Sequence, residues 1–180
     1  NGLVAWYPFN GNANDESGNG NHGFFLLGTS NCESRFGQSL SAVQIDGFDG
    51  LGKRVRIPWI ISSNSNFTIN VWFKIDQVVK SGQNMSHNIM DFVPHTTLGV
   101  SYNHPYSPDN LMSCVGNGSQ WNLCSPGTPL NWGLSTPLEW HLLTVQRNSN
   151  QLNFYLDGQI KNTYSDSFSL DLATQLNFGA

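Results

Sequence analysis

The stretch FTINVWFKI at residues 67–75 decides the fold class, because its side chains alternate between two chemical types. The odd positions place apolar side chains on one face of an extended chain: Phe67, Ile69, Val71, Phe73 and Ile75. The even positions place the others on the opposite face: Thr68, Asn70, Trp72 and Lys74. A period of two predicts a β-strand with one buried face.

The same alternation recurs on both sides of this strand, with turn residues between the segments. Residues 140–147 and 152–156 predict two strands joined by an Asn-Ser-Asn turn. Asp157-Gly158 favours a tight hairpin, and residues 159–163 predict its return strand. Further strands are predicted at residues 3–9, 22–27, 40–45, 54–58, 88–93, 98–103, 111–115 and 176–178. Short strands at this spacing predict an all-β, antiparallel sandwich of two packed sheets, formed as one domain over residues 1–180.

One long segment, residues 104–137, does not show this alternation throughout. It is rich in Pro, Gly and Asn, and it is predicted to be a long irregular loop insertion. Long ordered loops in compact domains are often functional.

Charge and hydropathy limit the partners. Charged residues make up 11 % of the chain and the formal net charge is −4, so duplex nucleic acid is not expected as a partner. Lys53, Arg54 and Arg56 are a local exception, either a solvated strand face or a site for acidic or sulfated glycans. No segment approaches the ~18 apolar residues that a membrane span needs, so membrane insertion is not expected.

The chain has 3 cysteines. Cys114 and Cys124 bracket a short polar loop, and a disulfide between them is predicted to stabilise it. Cys32 either stays a thiol or pairs between chains.

Four segments, in this order, resemble laminin-G-like jelly-roll domains of the concanavalin-A-like lectin/glucanase superfamily. They are GLVAWYPFNGNANDESGNGNHG at residues 2–23, RFG at 35–37 with SAVQIDG at 41–47, FTINVWF at 67–73, and EWHLLTV at 139–145 with LDG at 156–158. The resemblance implies a concanavalin-A-like jelly roll that binds glycans or proteins, with calcium in many members. Members usually end with one more strand of acidic-acidic-x-Arg pattern, whereas this chain ends at LNFGA. The expectation is that the terminal strand is missing or supplied by another chain, and an open sheet edge would then favour a homo-oligomer.

The Asn-rich loop at residues 10–21 is the candidate metal site. Ca²⁺ prefers six to eight oxygen ligands, and the loop is dense in carboxylate and amide oxygens. The predicted calcium ligands are Asn12, Asn14, Asp15, Asn19 and Asn21. The alternative is a turn whose Asn and Asp side chains bind their own backbone.

Aromatic side chains at strand ends and in loops are the candidates for stacking on sugars. The predicted ligand-binding residues are Trp59, Tyr102, His104, Tyr106, Asp109, Trp121, Asn122 and Trp132, with Lys53, Arg54 and Arg56 as the basic variant. Trp6, Trp72 and Trp140 lie in predicted strands and are expected in the core. The alternative for Trp121 and Trp132 is that they anchor the long loop to the sandwich.

The sequence does not favour an enzyme. Glycosidases of the same broad fold need two carboxylates, and in related retaining enzymes these lie in a Glu-x-Asp-x-x-Glu run that is absent here. The first hypothesis is therefore a non-catalytic, secreted or cell-surface module that binds a glycan or a cell-surface glycoprotein, with calcium as its expected cofactor and adhesion as its expected role. The second is a structural or oligomerising protein-interaction domain, and the weakest is a glycan-active enzyme.

Overall fold

A computed structural model describes most of the 180-residue chain. The described residues are 2–26, 28–45, 53–61, 65–75, 87–93, 98–104, 107–117, 119–124, 138–165, 170 and 173–179, without the side chains of 87, 103, 104, 107–110 and 123. Within these ranges no helix is long and apolar enough to cross a bilayer.

The described residues form strands and no helix. The strands are β1 (Phe24–Phe25), β2 (Thr29–Cys32), β3 (Ala42–Ile45), β4 (Val55–Pro58), β5 (Phe67–Phe73), β6 (His87–Val93), β7 (Leu98–His104), β8 (Ser107–Gly116), β9 (Trp121–Cys124), β10 (His141–Asn148), β11 (Gln151–Leu156), β12 (Gln159–Ser165) and β13 (Gln175–Phe178). All pairings are antiparallel, and the predicted all-β jelly-roll class is confirmed.

The strands form two large sheets and a small hairpin. The seven-stranded sheet has the order β1-β4-β13-β6-β7-β8-β9, the four-stranded sheet has the order β12-β11-β10-β5, and β2 pairs with β3. The last strand, β13, therefore lies inside the larger sheet, between β4 and β6.

The core lies between the inner faces of the two large sheets. The alternation predicted for residues 67–75 is present, since Phe67 and Phe73 are buried and Thr68, Asn70 and Trp72 are exposed. Leu143 of β10 lies opposite both Val71 and Leu156, so three strands contribute to one apolar row. The seven-stranded sheet completes the core with residues such as Val55, Phe92, Leu98 and Val115.

Two tryptophans expected in the core are on the surface. The exposed fractions are 55 % for Trp6 and 42 % for Trp72, and Trp140 is half-buried. Trp72 is exposed because it lies on the same face of β5 as the polar residues Thr68 and Asn70.

The strand predicted at residues 3–9 is not formed. Side chains of the following loop, rather than a neighbouring strand, bind this backbone: Asn19 and Asn21 donate to the Val4 carbonyl, and Asp15 accepts from the Trp6 N–H. The strand predicted at 22–27 shortens to β1. The hairpin strand β2 was not predicted.

The predicted irregular segment 104–137 is partly regular. Residues 107–116 and 121–124 are strands β8 and β9, the strand predicted at 111–115 lies within β8, and residues 125–137 lie outside the described residues. Cys114 lies opposite Cys124 in this pair, and the predicted disulfide is formed with an S–S distance of 2.05 Å.

Candidate functional site

A row of polar residues crosses the outer face of the seven-stranded sheet, the face turned away from the four-stranded sheet. Asn177 of β13 lies opposite Arg56 of β4 and Asp91 of β6, and Asp91 lies opposite Gly99 of β7. Side chains directly opposite in an antiparallel pair share one face. The inner-face neighbours Leu176 and Ile57 are in the core, so this row points the other way. We call Arg56, Asn177, Asp91 and Gly99 the polar row.

Asn177 is the unusual member of the polar row. It is 0 % exposed, yet among the described residues neither its amide nitrogen nor its amide oxygen has a hydrogen-bond partner. Within the same part of the chain, the Nε atoms of Arg54 and Arg56 are also buried without a partner. Buried polar atoms are almost always hydrogen-bonded, so such atoms call for a water, an ion or a ligand as their partner.

Trp121 lies at one end of the polar row, next to Gly99. Gly99 has no side chain, and a Cβ there would lie 3.4 Å from Cη2 of Trp121 and 3.8 Å from Oδ1 of Asp91. The indole ring therefore lies over Gly99, beside the Asp91 carboxylate. The Cys114–Cys124 disulfide ties the short strand that carries Trp121 to β8.

Trp121 is also accessible. Its exposed fraction is 40 %, and the neighbouring Asn122 is exposed as well, as both predictions required. An exposed ring beside a carboxylate, an amide and a guanidinium can stack on one face of a sugar while the polar groups bind its hydroxyls. The binding roles of Trp121 and Asn122 stay predictions.

The predicted basic patch is divided between two faces. Val55 and Ile57 point into the core, so Arg54 and Arg56, at alternate positions, share the outer face. Lys53 alternates with the arginines, in step with Val55 and Ile57, and its side chain lies against Gly28. The two arginines belong to the candidate site, and Lys53 does not.

Two aromatic predictions are wrong. Trp59 is not an exposed platform, since its ring packs edge-on against Phe67 and Phe92 at centroid distances of 5.6 and 4.7 Å. Tyr102 is 1 % exposed and belongs to the core, because its position in β7 faces inward with Val100.

The other predicted ligand-binding residues cannot be placed at this site. Tyr106 and Trp132 lie outside the described residues. His104 is the last residue of β7 and Asp109 lies in β8, but their side chains are outside the described part of the chain.

The predicted metal loop is organised around the Asp15 carboxylate. Oδ1 accepts hydrogen bonds from the Trp6 and Ser17 N–H groups, and Oδ2 accepts one from the Asn21 N–H, each at 2.9 Å. Burial alone would raise the pKa of Asp15, but the hydrogen bonds from Ser17, Trp6 and Asn21 outweigh it and hold the pKa well below its usual range. Burial, with the nearby Asp15 charge, raises the pKa of Tyr7 to about 12.

The amides of this loop are also engaged. Oδ1 of Asn12 accepts from the Asn14 N–H, and the Nδ2 groups of Asn19 and Asn21 donate to the Val4 carbonyl. This is the arrangement that the Asx-turn alternative predicts. In the described part of the chain, no cluster of three His, Cys, Asp or Glu side chains could hold a metal ion. Calcium binding by Asn12, Asn14, Asp15, Asn19 and Asn21 stays a prediction.

Sequence reasoning missed Asp91, Gly99 and Asn177. A signal existed for Asn177, because it is the polar position between Leu176 and Phe178 in the short strand QLNF. No comparable signal identified Asp91 or Gly99, because their proximity depends on β13 entering the sheet beside β6.

Several solved structures share the fold of this chain at low sequence identity. The ligand-binding domain of botulinum neurotoxin serotype D, in complex with N-acetylneuraminic acid, has a TM-score of 0.62 and 13 % identity over 92 % of this chain and 39 % of that chain. This chain thus spans well under half of that relative.

This chain spans a larger share of two further structures of similar fold. Domain 4 of AbnA, an extracellular arabinanase from Geobacillus stearothermophilus, in complex with arabinotriose, has a TM-score of 0.59 and 17 % identity over 98 % of this chain and 82 % of that one. An endo-β-1,4-glucuronan lyase from Trichoderma reesei has a TM-score of 0.50 and 14 % identity over 84 % of this chain and 74 % of that one. At these identities the likeness shows the shared fold. No curated protein matches the chain.

A family model of laminin-G type, described as the concanavalin A-like lectin/glucanases superfamily, matches residues 48–180. The matched range contains the central strand at 67–73 and the late hairpin at 139–158, whereas the resembling segments at 2–23 and 35–47 precede it. Because the match spans well over half of the sequence, the chain belongs to this laminin-G-like family of the concanavalin A-like lectin/glucanases superfamily.

Proposed function

We propose that the chain is a non-catalytic carbohydrate-binding module whose ligand lies on the outer face of the seven-stranded sheet, against Trp121 and the polar row. The observation that carries the proposal is the accessible Trp121 ring over Gly99, next to a polar row whose buried Asn177 amide has no partner among the described residues. A sugar hydroxyl both donates and accepts, so it can satisfy an amide from either side.

The composition of the polar row suits a sugar. Arg56 and the Asn177 nitrogen are donors, the Asn177 oxygen is an acceptor, and Trp121 offers an apolar ring face. Arg56 and Asp91 carry opposite charges, so the row as a whole favours a neutral, hydroxyl-rich ligand. Two domains of similar fold were solved with sialic acid and arabinotriose, which is compatible with a sugar here.

The carboxylates of this face support the proposal that the module is non-catalytic. Asp91 is the one carboxylate that the described residues contribute to the polar row. Glycosidases use two, about 5–10 Å apart across the scissile bond. Incubation with the polysaccharide that binds best should therefore release no reducing ends, and their release would overturn the assignment.

The experiment on Trp121 starts from a glycan array and measures affinity for the best ligand by titration calorimetry. Replacing Trp121 by Ala should weaken binding about tenfold or more through the lost stacking. The melting temperature should change little, because the ring is already 40 % exposed. Trp6→Ala is the matched control, since Trp6 is also exposed but lies on the N-terminal segment. Equal binding by wild type and Trp121→Ala would contradict the site.

A second variant tests the carrying observation directly. Asn177→Leu removes an unpartnered buried amide at similar volume, so the free energy of unfolding should rise by about 1–3 kcal/mol. Glycan binding should be lost in the same variant, because the amide that destabilises the free protein is also the group proposed to bind the ligand. Unchanged binding by this variant would show that the amide has no part in recognition.

An acidic or sulfated glycan is a second candidate ligand, favoured by the unpartnered Nε atoms of Arg54 and Arg56. Charge-assisted hydrogen bonds to an anion would satisfy both groups. Binding to an acidic sugar should then weaken with salt and in Arg56→Gln, whereas a neutral ligand should bind nearly independently of salt.

The disulfide and the family fit a secreted or cell-surface location, where the partner would be a glycan or a cell-surface glycoprotein. The alternative function is a protein-interaction or oligomerising domain, favoured by β5, which forms one edge of the four-stranded sheet within the described residues. Light scattering separates the two, because a strict monomer that binds glycan would remove the support for the alternative.

A further inference from the structure

Arg35 is held against two aromatic rings on the surface of the molecule. Its Cζ atom lies 3.8 Å from the Phe36 ring centroid and 4.1 Å from the Trp72 ring centroid. Both rings are accessible, with exposed fractions of 68 % for Phe36 and 42 % for Trp72. Cation–π stacking fixes the plane of the guanidinium and leaves its N–H edge as the part that can bind a partner.

Within the described residues, no protein carboxylate binds the N–H edge of the Arg35 guanidinium. In the part of the chain that the structure describes, Arg35 forms no ion pair. A planar guanidinium presents paired N–H donors that match a carboxylate in two parallel hydrogen bonds. A preorganised arginine without an internal partner is therefore suited to an external carboxylate.

The neighbouring sheet surface is rich in hydrogen-bond donors. Trp72 lies on the outer face of the four-stranded sheet, in the same column as Asn70. The amide oxygens of three side chains on this face accept from hydroxyls, namely Asn70 from Thr144 at 2.7 Å, Gln146 from Tyr155 at 3.3 Å and Asn153 from Thr163 at 2.8 Å.

These three hydroxyl contacts orient the amides in the same way. Each amide oxygen is occupied, so each amide nitrogen is the end left to bind an external acceptor. We call Asn70, Gln146 and Asn153 the amide ladder. They lie on adjacent strands, since Asn70 is opposite Thr144 and Gln146 is opposite Asn153. The ladder therefore offers donors along a path across β5, β10 and β11.

The charges of this face point to an anionic ligand of low charge density. Lys74 lies at the same end of the face as Arg35, with its Nζ 5.8 Å from the Trp140 ring centroid. The Asp157 carboxylate at this rim is already bound by His141 and the Leu142 N–H. One preorganised cation and a series of neutral donors suit a chain with one carboxylate per sugar, whereas a densely sulfated chain needs a cation for each of many charges.

We propose that the outer face of the four-stranded sheet is a second carbohydrate site, which binds a hexuronate polysaccharide through Arg35, with acceptor oxygens on the amide ladder. This site lies on the opposite side of the sandwich from the polar row. It does not depend on the ligand proposed for Trp121 and Asn177.

The test is titration calorimetry of the whole chain with polygalacturonate oligomers at low and moderate salt. Arg35→Gln should weaken binding about tenfold or more, which is the loss expected for one charge-assisted pair. The melting temperature should stay unchanged, because Arg35 is exposed. Asn70→Asp, which replaces a free amide donor by an acceptor, should also weaken binding. Trp6→Ala is the matched control, since Trp6 is exposed and belongs to neither proposed site, and it should bind polygalacturonate as wild type does.

The other outcomes are decisive as well. No binding of polygalacturonate by the wild type, or equal binding by wild type and Arg35→Gln, would overturn the proposal. Tighter binding of dextran sulfate than of polygalacturonate would assign the face to sulfate and overturn the hexuronate assignment. Loss of polygalacturonate binding in Trp121→Ala, with Arg35→Gln unaffected, would place the acidic ligand at the polar row.

Discussion

Asp15 links the N-terminal segment to the loop that follows it. Three backbone N–H groups from Trp6, Ser17 and Asn21 converge on its two carboxylate oxygens. The carboxylate thus does for residues 3–9 what a neighbouring strand would otherwise do. This is the physical reason why an alternating segment such as LVAWYPF is not paired in a sheet.

Replacing Asp15 by Asn should lower the free energy of unfolding at pH 7 by about 2–3 kcal/mol, since a buried ionic acceptor loses charge-assisted hydrogen bonds. The pKa of Asp15 is lower in the folded than in the unfolded chain. Its stabilisation is therefore fully present above the ordinary carboxyl value of about 4 and is lost as the pH falls below that value. Urea unfolding at pH 7 and pH 3 checks both points.

The exposed neighbour supplies the control for this prediction. Glu16→Gln removes an exposed carboxylate and should leave the urea midpoint unchanged. A loss in Glu16→Gln equal to that in Asp15→Asn would mean that net charge, rather than the hydrogen bonds, is responsible. The same loop tests the calcium prediction: ligation by Asp15 would raise the melting temperature of the wild type, relative to chelator, but not that of Asp15→Asn.

Among elements, the hairpin β11–β12 and its neighbour β10 are joined by one aspartate. Asp157 adopts a φ of 51° in the turn, as the Asp-Gly dipeptide predicts. Its carboxylate contacts Nδ1 of His141 at 2.7 Å and accepts from the Leu142 N–H at 2.8 Å. The turn residue of one hairpin thereby ties that hairpin to the first residues of β10.

Asp157→Ala should lower the free energy of unfolding by about 2 kcal/mol, because it removes these contacts and places a Cβ-only residue at positive φ. Asp157→Asn should recover part of the loss, since Asn tolerates this conformation and retains an oxygen for the Leu142 N–H. Thermal unfolding of the three proteins provides the measurement. A variant Asp157→Asn as unstable as Asp157→Ala would show that the charge, rather than the turn geometry, holds the hairpin.

The strands that the sequence predicted well are those with a clear period of two and a local turn. Residues 67–73, 141–148 and 151–165 lie in one sheet, joined by hairpins or closely packed, and local pattern was sufficient for them. The segment 107–124 was difficult for the opposite reason. Pro108 and the polar residues around it predict a loop, whereas the segment forms β8 and β9 with Cys114 opposite Cys124.

At the scale of the whole molecule, the candidate site could be predicted only in part. Trp121 and Arg56 were named from residue type, but nothing in the local sequence places them on one face. Asp91 and Asn177, separated by more than eighty residues, meet because the last strand enters the sheet between β4 and β6. Contacts of this kind depend on topology, which alternation and turn signals do not specify.

The position of β13 makes the stability of the entire seven-stranded sheet depend on the last residues of the chain. Leu176 is buried opposite both Ile57 and Phe92, so Leu176→Ala should cost about 2–4 kcal/mol of unfolding free energy in a cooperative transition. Ile160→Ala, at an exposed position of the four-stranded sheet, should change it by less than about 0.5 kcal/mol. Urea unfolding followed by tryptophan fluorescence and by circular dichroism should give coincident transitions for both variants. A Leu176→Ala transition that splits into two phases would show instead that the two sheets unfold separately and that β13 stabilises only its own.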